Sequence, residues 1–186
     1  MTEEFEFLPL RLEELLDRLA ADEPVPGSGS TAALVLAMAA SLVAKAARRS
    51  PEWTDASGAA AQALSLRKRA VELAGEDART YAEALDRLGR REGADHLLAG
   101  ALDQAADVPL RIARAGADVA ALAAEVCERC DQAVRADVIG AATLAAGAAQ
   151  AAARLIETNL GAAEDDPRLL EANAHAEAAL RSAHEP

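Results

Sequence analysis

The 186-residue sequence predicts an all-α fold, an antiparallel up-and-down bundle of six to seven helices. Three observations carry that prediction. The hydrophobic fraction is 52% but only 2% of residues are aromatic, so alanine, the best helix former, supplies most of the apolar content. The long β-branched and aromatic runs that strands favour are missing. Apolar residues recur at helical spacing, between breaks marked by Gly and Pro. No repeat and no second domain is evident, so residues 1–186 read as one domain.

Leu12, Leu15, Leu16 and Leu19 give residues 10–21 the one-sided pattern of a short amphipathic helix. Residues 22–29 break it. A second helix is predicted over 30–49. It is apolar nearly all round until Lys45, which suits the centre of a bundle. Ser50-Pro51 ends it, because proline disfavours helix in the residue before it. After a loop over 51–57, a long helix follows over 59–90, with Gly75 marking close packing or a bend. Gly89 and Gly93 bracket the next break, and 94–106 reads as another helix. Asp107-Val108-Pro109 looks like a cap with an early-turn proline, opening a helix that runs to Arg129. The polar segment 130–135 predicts a turn, and Asp137 opens the last long helix, to Leu160. Gly140 and Gly147 lie one heptad apart, a flat stripe where another helix of the same or another subunit can lie close. Gly161 fits a C-cap, and Pro167 starts a final helix to His184.

The formal net charge of −12 argues against nucleic acid and against an anionic membrane surface as partners. The acidic N-terminus lacks the pattern of a signal peptide, and the charge-free runs look too short and Ala-rich to span a membrane. The expected location is the cytoplasm. Cys127 and Cys130 form one Cys-x-x-Cys with no second pair, too few ligands for a zinc site, and read as reduced thiols. His96, His175 and His184 share no ligand spacing with them, so no metal site is expected. A phosphate loop, a dinucleotide fingerprint and a Ser-His-Asp set are also missing.

The most informative segment is Pro24-Val25-Pro26-Gly27-Ser28-Gly29-Ser30, leading straight into the Ala-rich second helix. The prolines set an extended approach, the glycines permit close backbone contact, and Ser30 suits an N-cap. With no acid in the first turn, exposed N–H groups and the helix dipole would suit an anionic or electron-rich ligand.

Taken in order, these segments resemble the cyclodeaminase/cyclohydrolase family. That family comprises the C-terminal domain of formiminotransferase-cyclodeaminase and the methenyltetrahydrofolate cyclohydrolases. The resemblance rests on the Pro24–Ser30 loop, Asp77-Ala78-Arg79-Thr80-Tyr81, Val108-Pro109-Leu110, the turn Cys130-Asp131…Ala136-Asp137, and Asn159-Leu160. It departs from the family at Ser28, where a glycine is usual, at Asp131 and Leu155 for Asn, and at Ala136 for Ser. The resemblance implies a homodimer acting on 5-formimino- or 5,10-methenyl-tetrahydrofolate, with the folate as substrate and no tightly bound cofactor. The rival reading is a non-catalytic helical binding module, or a divergent member with another small-molecule ligand.

Both family reactions pass through a polarised carbon between two nitrogens, which a carboxylate would stabilise while moving protons. Asp137 is the first expectation for that group, at a helix start where it would otherwise be a plain cap, with Asp131 across the turn as its partner. Asp77 and Tyr81 lie one turn apart on one helix face; Tyr81 is the only tyrosine and suits stacking on a pterin. Gly27, Ser28, Gly29 and Ser30 would offer N–H groups to the ligand, and Asn159 would meet a pterin edge. Arg48 and Arg49 are the basic pair expected to meet an anionic folate tail, with Arg87, Arg90 and Arg91 as competitors. A cavity joining the Gly27–Ser30 loop, the Asp77/Tyr81 face and the Asp131–Asp137 turn is the structural expectation. A filled bundle with those residues apart would favour the binding module.

Overall fold

The computed structural model describes residues 5–89, 106–160 and 165–184. Among them are six α-helices: α1 (Leu12–Ala20), α2 (Ser28–Arg48), α3 (Ala56–Gly89), α4 (Asp107–Arg129), α5 (Arg135–Leu160) and α6 (Pro167–His184). A short 3-10 turn, Gln132–Val134, precedes α5. There is no strand among the described residues, so the all-α bundle is observed. The helix expected over 94–106 and the cap expected at Gly161 lie outside the described residues.

Helices α2, α3, α4 and α5 form the core ring, each antiparallel to its neighbours. The α2–α3 and α4–α5 connections are short, which folds each pair back on itself. Between α3 and α4 the ion pairs Arg69–Asp118 at 3.5 Å and Glu76–Arg111 at 2.5 Å run in opposite order along the two helices. α2 and α5 are crossed in the same sense, since Lys45 near the end of α2 pairs with Asp137 near the start of α5. α6 packs on α4 and α5 from outside. It runs with α4, because Arg168 meets Asp107 and Glu171 meets Arg114.

The core is small-residue packing, as the composition implies. Alanines dominate it, and the largest fully buried side chains include Leu36, Leu73, Ile112 and Ile156. α2 is its central member, with one face and most of a second buried. Gly75 turns out to be a close approach: a Cβ there would sit 2.7 Å from the Phe5 carbonyl oxygen, where the N-terminal segment crosses α3.

Three elements add detail that spacing alone does not give. α1 forms as predicted but buries none of its residues; Leu12 and Leu16 remain 63% and 55% exposed. The helix–helix close approach within the chain uses Gly116 on α4, where a Cβ would meet Ala149 Cβ at 2.7 Å and Ala145 O at 3.0 Å. Gly140 and Gly147 face open space, with nothing within 4 Å of an added Cβ. Finally, α2 with 21 residues and the Gln132–Leu160 stretch with 29 are long and apolar enough to cross a membrane by that criterion alone. Both are core helices here, and at least half of each apolar window is buried inside the bundle.

Candidate active site

α2 begins earlier than the sequence suggests. Gly27 is the N-cap, extended at φ −108° and ψ −161°, and Ser28, Gly29 and Ser30 already belong to the first turn. Ser28, where the family usually has glycine, is therefore helical, a conformation any residue adopts without strain. Gly27 has no side chain to cap the helix, and Ser30 does not cap it either. The capping group comes instead from across the bundle. Asp77 on α3 lays its carboxylate against the first turn of α2, taking a 2.9 Å hydrogen bond from Ser30 Oγ to Oδ2 and another from the Ser30 backbone N–H.

That contact needs Gly29. A Cβ built there would fall 2.2 Å from Asp77 Oδ1. The anion-binding helix start read from the sequence is thus occupied by the chain's own carboxylate, which removes the case for an external anion at that point.

Asp77 also lines a cavity of about 220 Å³. Pro24, Val25, Gly27, Ser28 and Gly29 form one wall. The peptide bond between Val25 and Pro26 is cis. α3 contributes Asp77, Thr80 and Tyr81; α4 contributes Val108 and Pro109; α5 closes the far side with Leu155, Thr158 and Asn159. Among the described residues, Asp77 is the one charged side chain in this lining. Burial pushes its carboxyl above the ordinary value, and the two hydrogen bonds from Ser30 only partly offset that. A carboxyl of raised pKa in a mostly apolar cavity holds a proton more readily than a solvated one and is suited to taking it up and returning it.

The cavity joins two of the three expected segments. Asp137 is 22 positions before Asn159 on the same helix, which at 1.5 Å per residue is about 33 Å. It lies at the other end of the bundle, ion-paired with Lys45 at 2.6 Å, both side chains well exposed. It sits in the first turn of α5 and is not its cap. Asp131 is nearby but does not pair with it; its Oδ1 accepts from the Ala133 N–H at 2.8 Å and caps the 3-10 turn. Arg48 and Arg49 are exposed at this same far end, about 30 Å of helix axis from Ser28. Arg87 belongs to the last turn of α3, and Arg90 and Arg91 lie outside the described residues.

The far end is held by local contacts. Ser50 is buried, donates from Oγ to the Ala46 carbonyl at 2.8 Å, and accepts from the Asp131 N–H at 2.9 Å. The Arg129 guanidinium lies 5.9 Å from the Trp53 ring centre. Cys127 is buried and Cys130 partly so, both as free thiols. Among the described residues, no group of three His, Cys, Asp or Glu side chains is placed to hold a metal.

Sequence reasoning missed Thr80, Thr158, Pro24 and Val25 as cavity residues. Thr80 and Thr158 adjoin the flagged Tyr81 and Asn159, but their direction depends on how three helices cross, which no local pattern carries.

Comparison with known proteins supports the fold. The family model described as formiminotransferase-cyclodeaminase matches residues 11–178. No curated protein sequence matches the chain. Among solved structures, the formiminotetrahydrofolate cyclodeaminase of Thermotoga maritima is similar, with a TM-score of 0.78 and 23% identity. The match covers 95% of this chain and 94% of that one; at such identity it is a likeness of fold. With the family model running from just before α1 into α6, across every element that builds the cavity, the chain belongs to the formiminotransferase-cyclodeaminase family.

Proposed function

We propose that this protein is an enzyme of folate one-carbon metabolism, acting in the cytoplasm on 5-formimino- or 5,10-methenyl-tetrahydrofolate, with Asp77 as its proton-transferring group. The observation that carries this reading is the half-buried carboxyl of Asp77, the only charge lining the cavity among the described residues, with its pKa raised by desolvation. A lone negative charge there favours a cationic reacting centre, and both candidate substrates pass through one.

In the deaminating direction, N10 attacks the protonated formimino carbon and forms the new C–N bond. Asp77 takes the N10 proton, then gives it to the departing amino group as the old C–N bond breaks. Ammonia and the methenyl cation result, and the carboxylate is regenerated. In the hydrolytic direction, water adds to the methenyl carbon and Asp77 takes its proton. The same proton goes to N5 as the ring opens to the 10-formyl product, and one proton is released to solvent. Tyr81 suits stacking on the pterin, and Asn159 and Ser28 suit its polar edge. The cavity is below the usual range for a whole drug-sized ligand, so it suits the ring system, with the anionic tail outside.

The working form in this proposal is a homodimer. From Val138 to Ala153 α5 carries no charge, although Gly147, Leu144 and Ala151 on its outer face are exposed. A second copy laid on that face would cover them. Sedimentation of the wild type against Leu144→Arg tests this; a monomer in both would refute it.

The activity test follows the methenyl absorbance band with 5,10-methenyl-tetrahydrofolate, then with ammonia release from the formimino substrate. Catalysis of either that disappears in Asp77→Asn supports the reading. No turnover of either, with no folate binding by calorimetry, leaves the binding-module alternative.

A further inference from the structure

We propose that Ser30 and Gly29 form a positioning pair for Asp77. The Ser30 hydroxyl holds the carboxylate on the first turn of α2, and the missing side chain at Gly29 makes the room. This deepens the reading above and rests on Asp77 being the proton-transferring group.

The geometry is specific. Ser30 is fully buried, so its hydroxyl has no water to turn to, and it donates to Asp77 Oδ2 at 2.9 Å. The backbone N–H of the same residue supplies a second bond. The two donors fix the carboxylate from one side. A methyl at position 29 would overlap Oδ1, at 2.2 Å from an ideal Cβ, so the Asp77 carboxylate would have to move off the first turn of α2. Among the described residues, the other elements lining the cavity with Asp77 supply no competing charge: α5 brings Leu155, Thr158 and Asn159, α4 brings Val108 and Pro109, and α3 itself brings Thr80 and Tyr81. Ser30 is thus the main polar restraint on the carboxylate from α2. Its loss both frees the side chain to rotate and removes a bond that favours the ionised form.

The expected effects follow. Ser30→Ala removes a hydrogen bond to a charged acceptor and raises the Asp77 titration midpoint by about one pH unit. The limb of the pH–rate profile that reports this group moves up by the same amount. Ser30→Thr keeps the hydroxyl and keeps the midpoint. Gly29→Ala displaces the carboxylate and costs about 100-fold in turnover.

The experiment is a carbon-13 titration of the aspartate carboxyls by NMR on the full chain, with the Asp77 signal assigned by its loss in Asp77→Asn. Wild type, Ser30→Ala, Ser30→Thr and Gly29→Ala are compared, each checked for folding by circular dichroism. Ser30→Cys, a weak donor of similar size, replaces Ser30→Ala if that variant does not fold. pH–rate profiles with the methenyl and formimino substrates are taken on the same samples. A raised midpoint in Ser30→Ala, with a matching move of the rate profile, supports the proposal. An unchanged midpoint overturns it. A raised midpoint with an unmoved rate profile confirms the hold on the carboxylate and overturns the acid–base reading of Asp77 instead.

Discussion

The two ends of this bundle carry carboxylates of opposite character. At the cavity end, Asp77 is largely buried, bonded only to neutral donors, and its proton affinity is raised. At the far end, Asp137 is exposed and paired with a lysine, and Asp131 is spent on a backbone N–H. The first has an unmet electrostatic need that a cationic ligand would answer; the second pair is already satisfied. In the proposed reading, burial without a counter-charge among the described residues, and not position at a helix start, marks the reacting carboxylate.

The sharpest way to break that contrast is substitution at each end. Asp77→Asn should lower turnover by about 100- to 10,000-fold, the usual worth of a positioned acid–base group. Asp137→Ala should leave turnover within about twofold, because an exposed ion pair contributes little. A large loss in Asp137→Ala would mean that the far end of a second subunit completes the cavity.

The next effect concerns helix contacts. Gly116→Ala overpacks the α4–α5 contact and should cost about 1–3 kcal/mol, a melting point lower by several degrees. Gly147→Ala meets open space within the chain and should raise stability by up to about 1 kcal/mol through helix propensity. A loss of stability or of dimer at Gly147 would show that its face is covered.

A smaller effect is the pH dependence of folding. The folded-state pKa of Asp77 is raised, so its contribution to stability is fully present below the unfolded value of 3.8 and is lost as pH rises through the folded one. Asp77→Asn should therefore melt higher than wild type at neutral pH and lose that advantage in acid. Thermal melts across pH check the sign. Smallest of all, Lys45→Ala should shift stability by less than about 1 kcal/mol, and less still at high salt.

Much of the fold was legible in the sequence because its signals are local. Pro167 and His184 bound α6 as predicted, and Ser50-Pro51 ends α2. The breaks at 49–55 and 130–134 are turn chemistry and short polar runs, which a sequence displays directly. The site was legible in pieces. The glycine-rich approach, Asp77, Tyr81 and Asn159 were each singled out, and one cavity gathers them. That Asp131 and Asp137 lie away from them was not legible. That depends on the antiparallel crossing of α2 and α5, which puts residue 137 and residue 159 at opposite ends. α1 shows the same limit from the other side: its leucine spacing fixes a helix, but spacing cannot say what covers the leucines.

The alanine core has a consequence for how such a protein can vary over time. Where contacts are mostly methyl against backbone, neighbouring helices leave no slack to absorb a larger side chain, and a smaller one means glycine. Interior positions of α2 and α5 are therefore nearly closed to drift. Novelty in ligand choice must enter at the helix ends, through residues such as Ser28 and Leu155, whose side chains border the cavity without setting the spacing of the frame.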